Sequence, residues 1–234
     1  MAHIDLRGEN KNMRNKKLIL GLFGVFTLLL VLTDNLEATT FSNLGSISIP
    51  ASGTEGIANP YQSIITVSGT TGTITDINVI INGLSHTFPD DIDMLLVGPG
   101  GQKIILLSDA GGPGNVANLN ITFDGEAASS PSNVQFLESG TFKPSNYTGN
   151  GGPNDVFPAP APVGPYGSLL SIFDGTGANG NWSLFVFDAD GSDVGRIANG
   201  WSLDIATAVA EPSTFVLLGA GLLGLAARAR KKKL

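Results

Sequence analysis

Apolar and polar residues alternate with a period of two in seven separate runs along the middle of the chain. They are 64–69 (IITVSG), 74–83 (ITDINVIING), 92–98 (IDMLLVG), 103–108 (KIILLS), 119–124 (LNITFD), 182–188 (WSLFVFD) and 201–206 (WSLDIA). That period sends successive side chains to opposite faces of an extended backbone, and the runs are rich in β-branched and aromatic residues with Gly, Pro, Asn or Asp between them. The pattern predicts strands joined by turns. No stretch of the middle carries a helical stripe. Gly98-Pro99-Gly100-Gly101-Gln102 and the segment 188–199 predict hairpin links. Trp182, Leu184 and Val186 share one face of their strand, as do Trp201, Leu203 and Ile205 of theirs, which assigns both tryptophans to a core. The expected architecture is all-β: a jelly-roll or Greek-key sandwich of about eight strands over 39–206, its core about 45–206, large enough to bury a core without disulfides. The run 157–167 (FPAPAPVGPYG) favours polyproline II, as a stiff connector over the surface or a docking strip.

The two ends follow different rules. Residues 18–32 (LILGLFGVFTLLLVL) are wholly uncharged, follow Arg14, Lys16 and Lys17, and lead to Ala38. A basic region, an apolar stretch and a small residue at the cut define a signal peptide within a 1–38 leader; uncleaved, the same segment is an anchor. Translation from Met13 would give a leader of more ordinary length. At the far end, 207–234, Glu211-Pro212-Ser213 precedes an apolar run and then Arg228, Arg230 and Lys231 to Lys233. A helix over 214–229 would be about 24 Å long, just short of a ~30 Å hydrocarbon core. Its basic tip would keep the C-terminus cytoplasmic and the middle outside. This end resembles the PEP-CTERM sorting signal, with Ala210 where that family usually has a first proline. The resemblance implies a transient stay in the inner membrane, processing by an exosortase, and delivery to the cell surface, matrix or envelope of a Gram-negative bacterium. A plain anchor that is never cut is the alternative.

Charge sharpens the division. Only Lys103, Lys143 and Arg196 lie in 39–206, against 15 acidic residues, a net of −12. So acidic a middle repels phosphate backbones and excludes nucleic acid as a partner; cations are favoured. The absence of cysteine excludes disulfide scaffolds, thiolate metal sites and thiol nucleophiles.

The densest set of ligating groups is Asp90-Asp91-Ile92-Asp93. In an extended chain Asp91 and Asp93 face the same side about 7 Å apart, a spacing that can share one hard cation. Asp109, Asp124 and Glu126 are candidates to complete an all-oxygen Ca²⁺ site; the alternative is a set of solvated turn residues. A second, weaker candidate is Asp188, Asp190 and Asp193, which lacks the terminal bidentate Glu of a calcium loop and equally fits a turn. His86 is the sole histidine of the middle and no Gly-x-Ser-x-Gly elbow occurs, so nucleophilic catalysis has no support; His86 is expected to hydrogen-bond the acidic loop.

His86-Thr-Phe-Pro-Asp-Asp-Ile-Asp-Met-Leu-Leu-Val-Gly-Pro-Gly-Gly, Leu107-Ser-Asp-Ala-Gly-Gly, Phe123-Asp124 and Asn199-Gly-Trp-Ser-Leu, in that order, resemble the P domain (Homo B) of proprotein convertases, as found alone in bacterial PEP-CTERM proteins. The resemblance implies an eight-stranded jelly roll without catalytic residues. The expected function is therefore an exported, non-enzymatic, calcium-stabilised module with a structural, adhesive or matrix role, its partners an exosortase and exopolysaccharide. The alternative is an accessory domain for a secreted subtilisin-like protease.

Overall fold

The computed structural model describes residues 38–148, 155–208, 219, 221–224 and 228. The leader, Met13 and the sorting triplet Glu211, Pro212 and Ser213 lie outside them. The chain divides after Asn35, and every described strand belongs to the second part. Among the described residues twelve strands form two sheets. All seven predicted runs are strands: β4 (Ser63–Val67), β5 (Thr73–His86), β6 (Ile92–Val97), β7 (Lys103–Leu107), β8 (Val116–Phe123), β10 (Gly180–Asp188) and β12 (Trp201–Ala208). Five further strands raise the total above the expected eight. They are β1 (Ala38–Asn43), β2 (Ile47–Ile49), β3 (Gly56–Ile57), β9 (Gly140–Phe142) and β11 (Gly195–Ile197). Four of these span only two or three residues, too short for an alternation to register.

The longest strand, β5, is the spine of the larger sheet. On one edge it pairs with β12 up to Ile81 and with β11 from Leu84; on the other it pairs with β8, which carries β9 in parallel. Between those two partners the register slips at Gly83, whose φ of +77° suits a bulge and whose added Cβ would meet Asn199 Nδ2 at 2.9 Å. The smaller sheet has the order β7-β6-β10, with β4 and β3 sharing the far edge of β10. One apolar cluster joins Ile77, Val79 and Ile81 of β5 to Met94 and Leu96 of β6 and to both tryptophans, so the two sheets enclose a common core. Trp182 and Trp201 are fully buried. Trp201 Nε1 donates to Ser63 Oγ at 2.9 Å, tying one sheet to the other, and Trp182 Nε1 donates to Ala178 O at 2.9 Å.

The segment 188–199 is not a hairpin. Strand β10 lies in the smaller sheet and β12 in the larger, with β11 formed between them. Two tryptophan-bearing strands with one apolar face each are better satisfied facing each other across a core than lying side by side. The Gly98–Gln102 link is a hairpin: Gly98 N donates to Gln102 O at 2.8 Å between β6 and β7.

The smaller sheet is apolar on its outer face as well. Leu95, Ile105 and Phe185 point away from the main core and are covered by Phe157 and Ala161 of the proline-rich run, which links β9 to β10 across the outside of this sheet. Tyr61 closes the same patch, its ring edge-on to Phe185 at 5.1 Å and its hydroxyl donating to Pro158 O.

Candidate functional site

The acidic residues gather where the strands of the smaller sheet end. Register places Ile92 opposite Asp188, Asp93 opposite Phe187 and Met94 opposite Leu107. Paired residues share a face, so Ile92 and Asp188 point into the main core while Asp93 stands on the outer face with Phe187. Before β6 the chain makes a 3-10 turn, Pro89–Asp91, with proline setting its start. That turn breaks the extended geometry on which a shared face for Asp91 and Asp93 depended. The two carboxylates consequently belong to different groups.

The first group centres on Ser108, fully buried just after β7. Its hydroxyl lies 3.1 Å from Asp155 Oδ1 and 3.3 Å from Asp109 Oδ2, and it also bonds the Asp93 carboxyl. Burial pushes the Asp93 carboxyl up to about 8, reinforced by the negative charges of Asp155, Asp109 and Asp188 and opposed by the Ser108 hydrogen bond. Burial likewise raises Asp155, with Asp109 adding to the shift. Asp90 is raised by burial and by Asp109, against a backbone hydrogen bond from Gly112, and its Oδ1 is buried without a partner among the described residues. Asp109 takes φ +49°, a left-handed turn conformation that aspartate tolerates better than most residues. Asp155 is the member that the sequence did not reveal. It precedes the proline-rich cover, and only the folding of that cover onto β6 and β7 brings it to Asp93.

The second group surrounds His86, at the end of β5. His86 Nε2 lies 3.1 Å from Asp188 Oδ2 and Nδ1 lies 2.9 Å from Phe88 O, with both ionisable side chains buried. The second oxygen of Asp188 has no partner among the described residues. The Asp91 carboxyl is pushed up to about 7 by burial and then by Asp188, Asp190 and Asp193, with His86 pulling the other way. Asp193 accepts from Thr87 Oγ1 at 2.7 Å, and Asp190 accepts from its neighbour Gly191 N at 2.8 Å. The histidine thus anchors the acidic loop, as the sequence led us to expect.

Asp124 and Glu126 join neither group. They follow β8, where Asp124 Oδ1 accepts from Glu126 N at 2.7 Å and the negative charges that raise Glu126 are those of Asp76 and Asp124. The expected constellation of Asp90, Asp91, Asp93, Asp109, Asp124 and Glu126 is therefore not one site. Among the described residues no three His, Asp or Glu side chains already surround a point that could hold a metal ion.

Compared with protein-family descriptions, residues 208–231 match the PEP-CTERM protein-sorting motif, and no P-domain family accompanies it. No curated protein matches the chain. Within the motif, Gly219, 221–224 and Arg228 are helical. No helix among the described residues is long and apolar enough to cross a membrane. The motif is a sorting signal for the bacterial cell envelope and surface, of the kind that an exosortase recognises. A β-rich body of two sheets is thus joined to an export and surface-sorting tail, and that pairing identifies the chain as an exported, surface-sorted protein.

Proposed function

We propose that the mature protein is a non-enzymatic surface module, P-domain-like in its jelly-roll plan, with calcium fastening the outer face of its smaller sheet. The observation that carries the reading is the PEP-CTERM motif placed directly after a folded all-β body. Support for the P-domain plan comes from the way the resembling segments meet. Met94 of the first pairs with Leu107 of the second, and both share the main core with Phe123 and with Trp201 and Leu203 of the last. The non-enzymatic role rests on the histidine: His86 is 2% exposed and committed to Asp188 and Phe88, so it is not offered to a substrate as a base. A structural, adhesive or matrix role in a Gram-negative envelope follows from surface delivery without chemistry.

For calcium the ligand set is revised to Asp93, Asp109 and Asp155 around Ser108, with Asp90 beside them. Oxygen donors alone suit a hard cation, and the carboxyls raised by burial and mutual repulsion are those that a cation would return to the charged form. Melting the protein in chelator and in millimolar CaCl₂ at pH 7.5 tests this. Calcium should raise Tm by at least 5 °C, and Asp93→Asn should abolish most of the gain. Equal melting temperatures in the two buffers would remove calcium and leave the surface-module reading standing. An accessory role beside a secreted subtilisin-like protease is the second reading, supported by the P-domain resemblance alone; a protease recovered with the protein from envelope fractions would favour it.

A further inference from the structure

A concavity of about 440 Å³ opens beside the acidic end and adjoins it, the Asn146 amide on its wall donating to Asp155 Oδ2 at 3.1 Å. Its volume lies within the range of small-molecule sites, about 300–1,000 Å³. Lys143, Ser145, Asn146, Tyr147, Tyr166 and Ser168 line it. Three features distinguish it from an incidental groove.

The first is charge. The middle of the chain holds three basic residues; Lys143 is on the wall, and Lys103, outside the lining, stands 5.7 Å from the centre of the Tyr166 ring and is bonded to Val163 O. Lys143 is exposed, and among the described residues no carboxylate pairs with it. The second is rigidity. Tyr147 Oη donates to Pro131 O and Tyr166 Oη to Pro162 O, each at 2.9 Å, so both rings are held in place before any ligand arrives. The third is an unspent hydroxyl. Ser145 is among the lining residues and 4% exposed, and its Oγ is buried without a hydrogen-bond partner among the described residues. A buried hydroxyl left unpaired destabilises a fold, and a ligand hydroxyl reaching it would satisfy it.

We propose that this groove binds a carboxylated saccharide. Lys143 receives the carboxylate, the fixed tyrosine rings meet the apolar C–H face of a sugar ring, and Ser145 bonds a sugar hydroxyl. The assignment deepens the surface-module reading by naming a ligand class, and rests on it only for contact with surface polysaccharide. Titrating the full-length protein in detergent with trigalacturonate and with neutral galactotriose, followed by calorimetry in chelator, reads the groove apart from localisation. Trigalacturonate should bind at least tenfold more tightly than the neutral sugar. Lys143→Ala should weaken it at least tenfold, equivalent to about 1.4 kcal/mol, with near-UV dichroism unchanged. Ser145→Ala should also weaken binding while raising the Tm of the free protein. Absence of binding, equal affinity for acidic and neutral sugars, or an affinity indifferent to Lys143→Ala and Ser145→Ala would overturn the assignment.

Discussion

Asp93 shows how one side chain acquires its properties from everything packed against it. Its sequence context, between Ile92 and Met94, marks a strand position and nothing more. In the fold it is 7% exposed, with Asp155, Asp109 and Asp188 as its charged neighbours and Ser108 as its hydrogen-bond donor. A carboxyl whose folded pKa rises from 3.8 to about 8 holds a proton that the unfolded chain releases. Stability from that proton is complete below pH 4 and is lost as the pH climbs to 8, by about 5 kcal/mol at most for Asp93 alone. Asp91, raised to about 7, acts in the same direction. In chelator, Tm should therefore fall by at least 5 °C between pH 4 and 8, and Asp93→Asn should flatten the profile; a flat wild-type profile would refute the coupling. Where calcium binds, its stabilising effect should grow over the same interval, since the cation competes with the protons.

At the scale of elements, the long strands were readable because each buries one face and exposes another, or buries both, over five residues or more. Strands β2, β3, β9 and β11 escaped because two or three residues hold no periodicity, and β1 because its sequence, ATTFSN, is largely polar and it lies at a sheet edge. The false hairpin at 188–199 had the right turn chemistry, but pairing between sheets is decided by which apolar faces must meet. Its closing turn is nevertheless tightly specified. Gly200 has φ +68°, and a Cβ there would stand 1.9 Å from Asn43 O at the end of β1. Gly200→Ala should cost more than about 2 kcal/mol through backbone strain and displacement of β1, a fall in Tm of 4 °C or more. Gly53→Ala also sits at positive φ but meets nothing within 4 Å, so it should cost less and serves as the control for strain alone.

For the whole molecule, the distribution of charge states the division of labour. Basic residues are concentrated in the two ends, the second of which holds the sorting motif, whereas the middle is acidic and carries the fold. The sorting motif at 208–231 begins with the last residue of β12, so no long linker separates body from tail. Mass spectrometry of the envelope-associated protein should find a chain that lacks the basic tip, and replacing Glu211 and Pro212 by alanine should leave the tip attached. Recovery of the wild-type protein with Leu234 in place would instead assign the tail to permanent anchoring. The near absence of basic residues from the body also makes Lys143 informative, because a lone exposed ammonium in an acidic surface has its strongest partners outside the chain.

Short-range pattern was enough to raise the expectation of an export leader and a sorting tail and to reveal the all-β class, the seven principal strands and the inward faces of both tryptophans. These follow from composition, local alternation and short linear patterns, which act over a few residues. Tertiary structure alone decided which carboxylates meet. A 3-10 turn rotated Asp91 away from Asp93, the end of β8 carried Asp124 and Glu126 elsewhere, and the proline-rich cover brought Asp155 to Ser108 across 47 positions of chain. Strand alternation fixes the face on which a side chain stands, but the neighbour it finds there depends on register, sheet order and the path of the loop that closes over it.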